Sequence, residues 1–316
     1  MLCQIEHCLR YCRKYQRTLV LDSTRSGLRD DFLKYFSIVD QQKTPVISLV
    51  DMPVDIEQLS TFPLGIKGRI GSYVPHELSD GQNEDLKSGD IINFDMKTAH
   101  LVDLLVQERA GGGINSYWIL QHLQPTELLL SALKKNLAKL PSTYISVHIR
   151  NTDLSTDYES FIKSITWALR DRDVLIGTDS GEIQERLPSL ASEVNALHFL
   201  TELDPSREIR LHDTDSTDET SNLEMFSDLF ALAMGRRLYF TTTKQGYVSG
   251  FSGLAYGLSQ SNLTKRVAKE LGYAQIYKKR PFNLKGMDLF LRKQGAFLLA
   301  KLAIKLVVKT REIIGK

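Results

Sequence analysis

The feature that most constrains the fold is an alternation of short apolar runs with helical patterns. Residues 18–22, 46–50 and 91–94 read as strands in the first half of the chain, and 143–149, 174–177, 196–200 and 238–241 in the second. A helix opens the sequence, and further helical patterns cover 97–109, 125–139, 158–170 and 222–234. Buried strands without polar alternation, separated by helices, predict parallel sheets covered on both faces. The stretch 137–142, containing Pro141, divides two such α/β units. A chain of 316 residues has the length for one large or two medium domains.

The residues that can carry chemistry stand just after these strands. Val147-His148-Ile149-Arg150-Asn151-Thr152-Asp153 delivers a histidine and an arginine two apart, which a strand turns to one face. Such a pair suits an anionic ligand, and the arginine fork fits phosphate. The alternative is that Arg150 pairs with Asp153. Residues 174–177 run into Thr178-Asp179-Ser180, and Glu182 opens a helix. That junction offers backbone N–H groups and a carboxylate beside a nucleotide, or else only a helix cap. After 238–240 come Thr241-Thr242-Thr243, then Ser249-Gly250-Phe251-Ser252 at the start of another helix, a pattern suited to an anion.

His148-Ile149-Arg150-Asn151-Thr152-Asp153 resembles the H-x-R-x-T-D motif of the α1,6-/α1,2-fucosyltransferase superfamily. Gly177-Thr178-Asp179-Ser180 resembles its second motif. The run from Asp228 to Ser252-Gly253-Leu254-Ala255 resembles the third, so the match spans 143–258 in the family's order. The sequence departs from the pattern at Asn151, where animal members carry a second arginine, and at Leu154, which replaces a lysine. The resemblance implies a GT-B-like α/β fold of two Rossmann-type domains. Residues 1–140 would form an acceptor-side domain and 141–284 a nucleotide-sugar domain. It also implies an inverting sugar transfer from a nucleotide donor, GDP-fucose first among them, with no cofactor and no essential metal. By motif position Arg150 would bind the donor's diphosphate with His148 beside it. Asp179 and Asp228 would shape the nucleotide site, and Ser249 or Ser252 would donate to phosphate. An inverting transfer needs a base, and Asp157 and Asp153 are the carboxylates just after the first motif. His212, in the polar stretch 201–221, is a further candidate at the cleft. Family members place a strand ahead of the first helix, so Met1 reads as a misplaced start or the edge of a truncation.

Composition supplies exclusions. With 42% hydrophobic and 25% charged residues the chain is neither disordered nor collagen-like. The net charge of +2 excludes a broadly basic nucleic-acid binder. That charge is uneven: 285–316 carries eight basic and two acidic residues, leaving the body acidic. With Lys301, Lys305 and Lys309 one turn apart among apolar residues, 285–316 reads as a basic amphipathic helix on an anionic membrane surface, or packed on the body. Cys8 and Cys12 share a helix face with Ile5 and Leu9, a core pattern that outweighs metal binding with His7. Asp213-Thr214-Asp215 follows no apolar strand and reads as loop, not a metal site. The reading is a cytoplasmic enzyme, peripheral on the inner face of a bacterial cell membrane. It would add a sugar to a glycan acceptor, lipid-linked and of the O-antigen or capsule kind. The alternative is a non-catalytic module of the same fold that binds glycan or protein.

Overall fold

A computed structural model describes residues 1–39, 44–78, 82–108, 117–151, 156–204, 219–243 and 246–273. Asp153, Leu154, His212, the triplet 213–215 and the tail 285–316 lie outside these described residues.

The chain opens with α1 (Leu2–Tyr15), which buries Ile5, Leu9 and Cys12 and ends on Gln16 in the left-handed conformation. Burial pushes the Cys8 thiol up to about 12 and Cys12 to about 11, so both are held as protonated thiols in neutral solution. No disulfide joins the three cysteines. The first-half strands are short. β1 (Leu19–Leu21) pairs in parallel with β3 (Val46–Ser48), while β2 (Phe36–Ile38) runs antiparallel to β9 (Leu123–Pro125). β4 (Thr61–Phe62) is parallel to β8 (Leu104–Leu105). β5 (Pro75–Glu77), β6 (Asn83–Asp85) and β7 (Ile91–Ile92) make an antiparallel three-stranded sheet. A short helix α2 (Tyr117–Leu120) and the longer α3 (Glu127–Leu137) complete this half.

Two expectations fail here. The apolar run 91–94 joins an antiparallel sheet instead of a parallel one, because its partner is the neighbouring β6. Residues 97–108 form no helix. Their carbonyl oxygens are taken from outside: the Arg17 guanidinium donates to those of His100 (3.0 Å), Val102 (2.7 Å) and Asp103 (2.7 Å). The Asp103 carboxylate accepts from the Ser60 N–H (3.1 Å) and hydroxyl (2.6 Å), which ties this stretch beside β4 as β8. Bonds from outside the stretch thus stand in place of the i→i+4 bonds of a helix.

The second half carries the larger sheet. β10 (Ile145–Ile149), α4 (Tyr158–Leu169), β11 (Asp173–Thr178), α5 (Gly181–Leu190) and β12 (Ala196–His198) follow one another. Then come α6 (Glu219–Met234), β13 (Leu238–Phe240), α7 (Gly250–Gln260) and α8 (Asn262–Glu270). The four strands are parallel in the order β12-β11-β10-β13. All five residues of β10 are buried, as a central parallel strand requires.

Strand alternation sorts the core into two faces. Ile145, Val147 and Ile149 of β10, with Val174 and Ile176 of β11, pack under α4 and α5 through Ile162, Ile165, Ile183 and Leu187. The intervening residues face α6. A Cβ on Gly177 would meet Leu232 at 2.9 Å, and one on Gly235 would overlap the Ser146 hydroxyl and lie 2.9 Å from the Ser146 Cβ. Glycine at both positions lets the helix seat directly on the sheet. α6 is buried nearly all round from Phe226 to Met234, and its core joins α1, α3, α7 and α8. The described residues thus form one compact unit.

Candidate functional site

The sheet order fixes where a ligand can enter. From β10 the chain steps outward to β11 and β12, then returns to place β13 on the opposite side of β10. Between β10 and β13 the connections diverge, and in open parallel sheets a crevice opens there at the carboxyl ends of the strands. His148 and Arg150 stand at the end of β10, Asp179 just after β11, and Thr241 just after β13. The helix that follows β13, α7, begins with Ser249 as its N-cap.

These ends are laced together. The Thr241 N–H donates to the His148 carbonyl (3.0 Å), and the Thr241 hydroxyl accepts from the Arg150 N–H (3.2 Å). Arg150 Nε lies 3.0 Å from Asp179 Oδ2, and the Asn151 N–H donates to Asp179 Oδ1 (2.9 Å). Asp179 therefore grips both side chain and backbone at the end of β10. Both partners are largely withdrawn from water, with 17% and 16% of their side chains exposed. An arginine held in a charge-assisted bond on a rigid strand is preorganised for an anion. Asn151, where the motif departs from its relatives, folds the loop instead: its Oδ1 accepts from the Thr156 N–H (3.2 Å), and the Thr156 hydroxyl donates to the Arg150 carbonyl (2.9 Å).

A second chain of bonds runs inward. Ser249 Oγ lies 2.9 Å from Ser252 Oγ, and Ser252 Oγ is 2.6 Å from His148 Nδ1. Ser249 also accepts from the Ser252 N–H (3.0 Å), which fixes the first turn of α7. His148 is buried, with the Phe251 ring tilted against it at 5.1 Å. Burial pushes its pKa down to about 4; Asp179 opposes that shift and Arg150 adds to it. The imidazole is neutral at physiological pH and orients the serine. Both serines are buried and turned into this internal chain, which leaves the first-turn N–H groups of Gly250 and Phe251 as the donors that a helix N-terminus offers an anion.

The remaining candidates fall elsewhere. Asp228, on α6, accepts from the Thr201 hydroxyl (2.8 Å) just beyond β12, the edge strand of the sheet. Burial raises its carboxyl to about 7; the Thr201 bond opposes this and Glu224 adds to it. Asp157 is exposed and is the N-cap of α4, with its Oδ1 accepting from the Ser160 N–H (3.1 Å). Asp153 and His212 are outside the described residues. Thr241, the first of the hydroxyl run that follows 238–240 in the sequence, closes the end of β13 onto Arg150 through its hydroxyl. Among the described residues no three His, Cys, Asp or Glu side chains gather as a metal site. No described helix is long and apolar enough to cross a membrane.

No protein-family model matches the sequence, and no curated protein matches it. Solved structures do. The NodZ α-1,6-fucosyltransferase soaked with GDP-fucose aligns with 81% of this chain and 87% of its own, at 15% identity and a TM-score of 0.52. The same enzyme co-crystallised with GDP aligns over the same shares at 14% identity and a TM-score of 0.50. Fucosyltransferase NodZ from Bradyrhizobium gives 14% identity and 0.50. This chain has the fold of these fucosyltransferases. It is the GT-B-like α/β architecture that the sequence motifs implied.

Proposed function

We propose that the chain is a glycosyltransferase that binds a nucleotide-sugar donor, GDP-fucose by preference, at the crevice between β10 and β13. The observation that carries this reading is the preorganised arginine. Arg150 is held by Asp179 at the point where the sheet order reverses. The fold's neighbours were crystallised with GDP or GDP-fucose, which supports the same donor here.

The chemistry follows from charge. As the glycosidic bond to the nucleoside diphosphate breaks, negative charge grows on the departing phosphate. Arg150 and the helix N-terminus are placed to stabilise it, with little reorganisation at the moment of reaction. An acceptor hydroxyl attacks the anomeric carbon from the opposite side and the configuration inverts. Its proton goes to a carboxylate, for which Asp157 and Asp153 are our candidates. In this reading no cofactor and no essential metal takes part. The acceptor is a bacterial surface glycan of the lipid-linked kind, and the basic stretch 285–316 keeps the enzyme at the inner membrane face.

The test is a thermal-shift panel of GDP, UDP and CDP, followed by donor hydrolysis. A nucleotide at 100 times its dissociation constant adds about 2.7 kcal/mol of stability. GDP should stabilise most, and Arg150→Ala should abolish both the shift and GDP-fucose hydrolysis. If GDP stabilises no better than UDP or CDP, the GDP-fucose assignment is wrong. If Arg150→Ala hydrolyses the donor as fast as wild type, the site is elsewhere.

A further inference from the structure

The antiparallel sheet β5-β6-β7 holds a cavity that the nucleotide site does not use. On β6, Asn83 and Asp85 point to the same face and are both buried, at 6% and 0% exposure. Asp85 is fully engaged. It accepts from Arg69 Nη1 (2.6 Å), the Val74 N–H (2.9 Å), the Lys87 N–H (3.1 Å) and the Ser88 hydroxyl (3.0 Å). These bonds hold its carboxyl down at about 2, with the Val74 bond the largest cause. Two residues away, Asn83 Oδ1 is buried with no hydrogen-bond partner, and so is Gln107 Oε1. Buried acceptors are almost always satisfied in folded proteins, and both of these are sealed from solvent, so a donor from outside reaches them only when the amides turn toward open space.

The residues that carry them, Asn83 and Gln107, line a single cavity of about 510 Å³. Its described walls are four side-chain amides (Gln82, Asn83, Asn93 and Gln107), the Phe94 ring and the isoleucines of β7. None of these side chains is ionisable. An amide presents a donor and an acceptor in one plane, which matches a pair of neighbouring hydroxyls. A phenyl ring with flanking isoleucines suits the C–H face of a sugar ring. The volume lies within the usual range of small-molecule sites, where apolar walls carry a few placed polar groups. A wall of four amides with no charged group among the described residues favours a hydroxyl-rich, neutral ligand over a phosphate, a carboxylate or a charged peptide.

We infer that this cavity binds an uncharged sugar residue of a glycan, with Asn83 and Gln107 accepting hydrogen bonds from its hydroxyls. None of its described lining residues belongs to the strand-end motifs, so it is a second site. As a subsite for the acceptor it rests on the transferase reading above; as a glycan site it stands without that reading.

The experiment is saturation-transfer NMR on the full chain with an array of neutral oligosaccharides, including lactose, maltose and cellobiose. Glucuronic acid and glucose 6-phosphate serve as charged comparisons. Neutral sugars should bind, and Gln107→Met should weaken the best of them at least tenfold. Asn93→Ala, at an exposed position that leaves the fold intact, should weaken it as well, which covers the case in which Gln107→Met does not fold. GDP binding should be unchanged in both variants. The inference is overturned if no neutral sugar binds, if the charged sugars bind as well as the neutral ones, or if both folded variants bind like wild type. Sugar binding in a chain that fails to bind GDP would remove the transferase reading and leave this site standing.

Discussion

Asp228→Asn separates burial from ionisation at one position. In the folded chain the Asp228 carboxyl titrates near 7, against 3.8 when exposed. Every tenfold change in proton affinity between the folded and unfolded chains is worth about 1.4 kcal/mol. Because the folded state holds its proton more tightly, the unfolded chain ionises first as pH rises and stability falls between those two values. Near pH 8 the loss is complete and amounts to about 4 kcal/mol. Near pH 5 only the unfolded chain has ionised, and the loss is about 2 kcal/mol. Asparagine cannot ionise, and its amide oxygen can still accept from the Thr201 hydroxyl that bonds Asp228 at 2.8 Å. Any constant effect of the amide cancels between the two conditions. Asp228→Asn should therefore gain about 2 kcal/mol more over wild type near pH 8 than near pH 5. Urea unfolding of both proteins at both pH values, followed by far-UV circular dichroism, reads this difference directly. A gain equal at both pH values, to within about 0.5 kcal/mol, would show that the carboxyl is not held protonated by burial and refute the argument.

Other outcomes follow from the same geometry. His148, depressed to about 4 from 6.5, should cost stability as pH falls through that window, because the unfolded chain takes up the proton first. His148→Gln should remove about 3 kcal/mol of that acid-side decline in urea unfolding. Asp179→Asn should weaken GDP binding by about tenfold or more by calorimetry, since Arg150 loses its charge-assisted anchor and the Asn151 N–H meets a poorer acceptor. Ser249→Ala should cost about 1 kcal/mol through loss of the α7 cap, seen as a lower unfolding midpoint. Gly235→Ala should destabilise by about 2 kcal/mol, because the new methyl overlaps the buried Ser146 hydroxyl and crowds its Cβ on β10.

What could be read in advance was set by whether the deciding partner is local. The run Ile145–Ile149 is apolar enough to demand a central strand, and the alternation after it marked α4 and β11, and the start of α5, within a residue or two. His148, Arg150 and Asp179 were visible because polar residues at the end of a buried strand have few structural reasons to be there. Their partnerships were not visible. Arg150 was weighed against Asp153 nearby and is held by Asp179 across the β10–β11 pair. His148 meets Ser252 across 104 residues. The false helix at 97–109 has the same cause, since its apolar spacing is helical but its carbonyls are claimed by Arg17, more than 80 residues upstream. Asp157 looked like a base by motif spacing, and the fold also makes it the cap of α4, a role that the spacing does not distinguish.

The contact of Gly235 with Ser146 has a consequence for how this sheet can change. With no room for a methyl between α6 and β10, the two positions share one fixed volume. A side chain can sit on the strand or on the helix, but not on both. In a library randomising the pair, a larger residue at 235 should survive only beside glycine at 146. The single substitutions would then misreport the double. Any remodelling of the crevice that begins on β10 must start from the helix behind it.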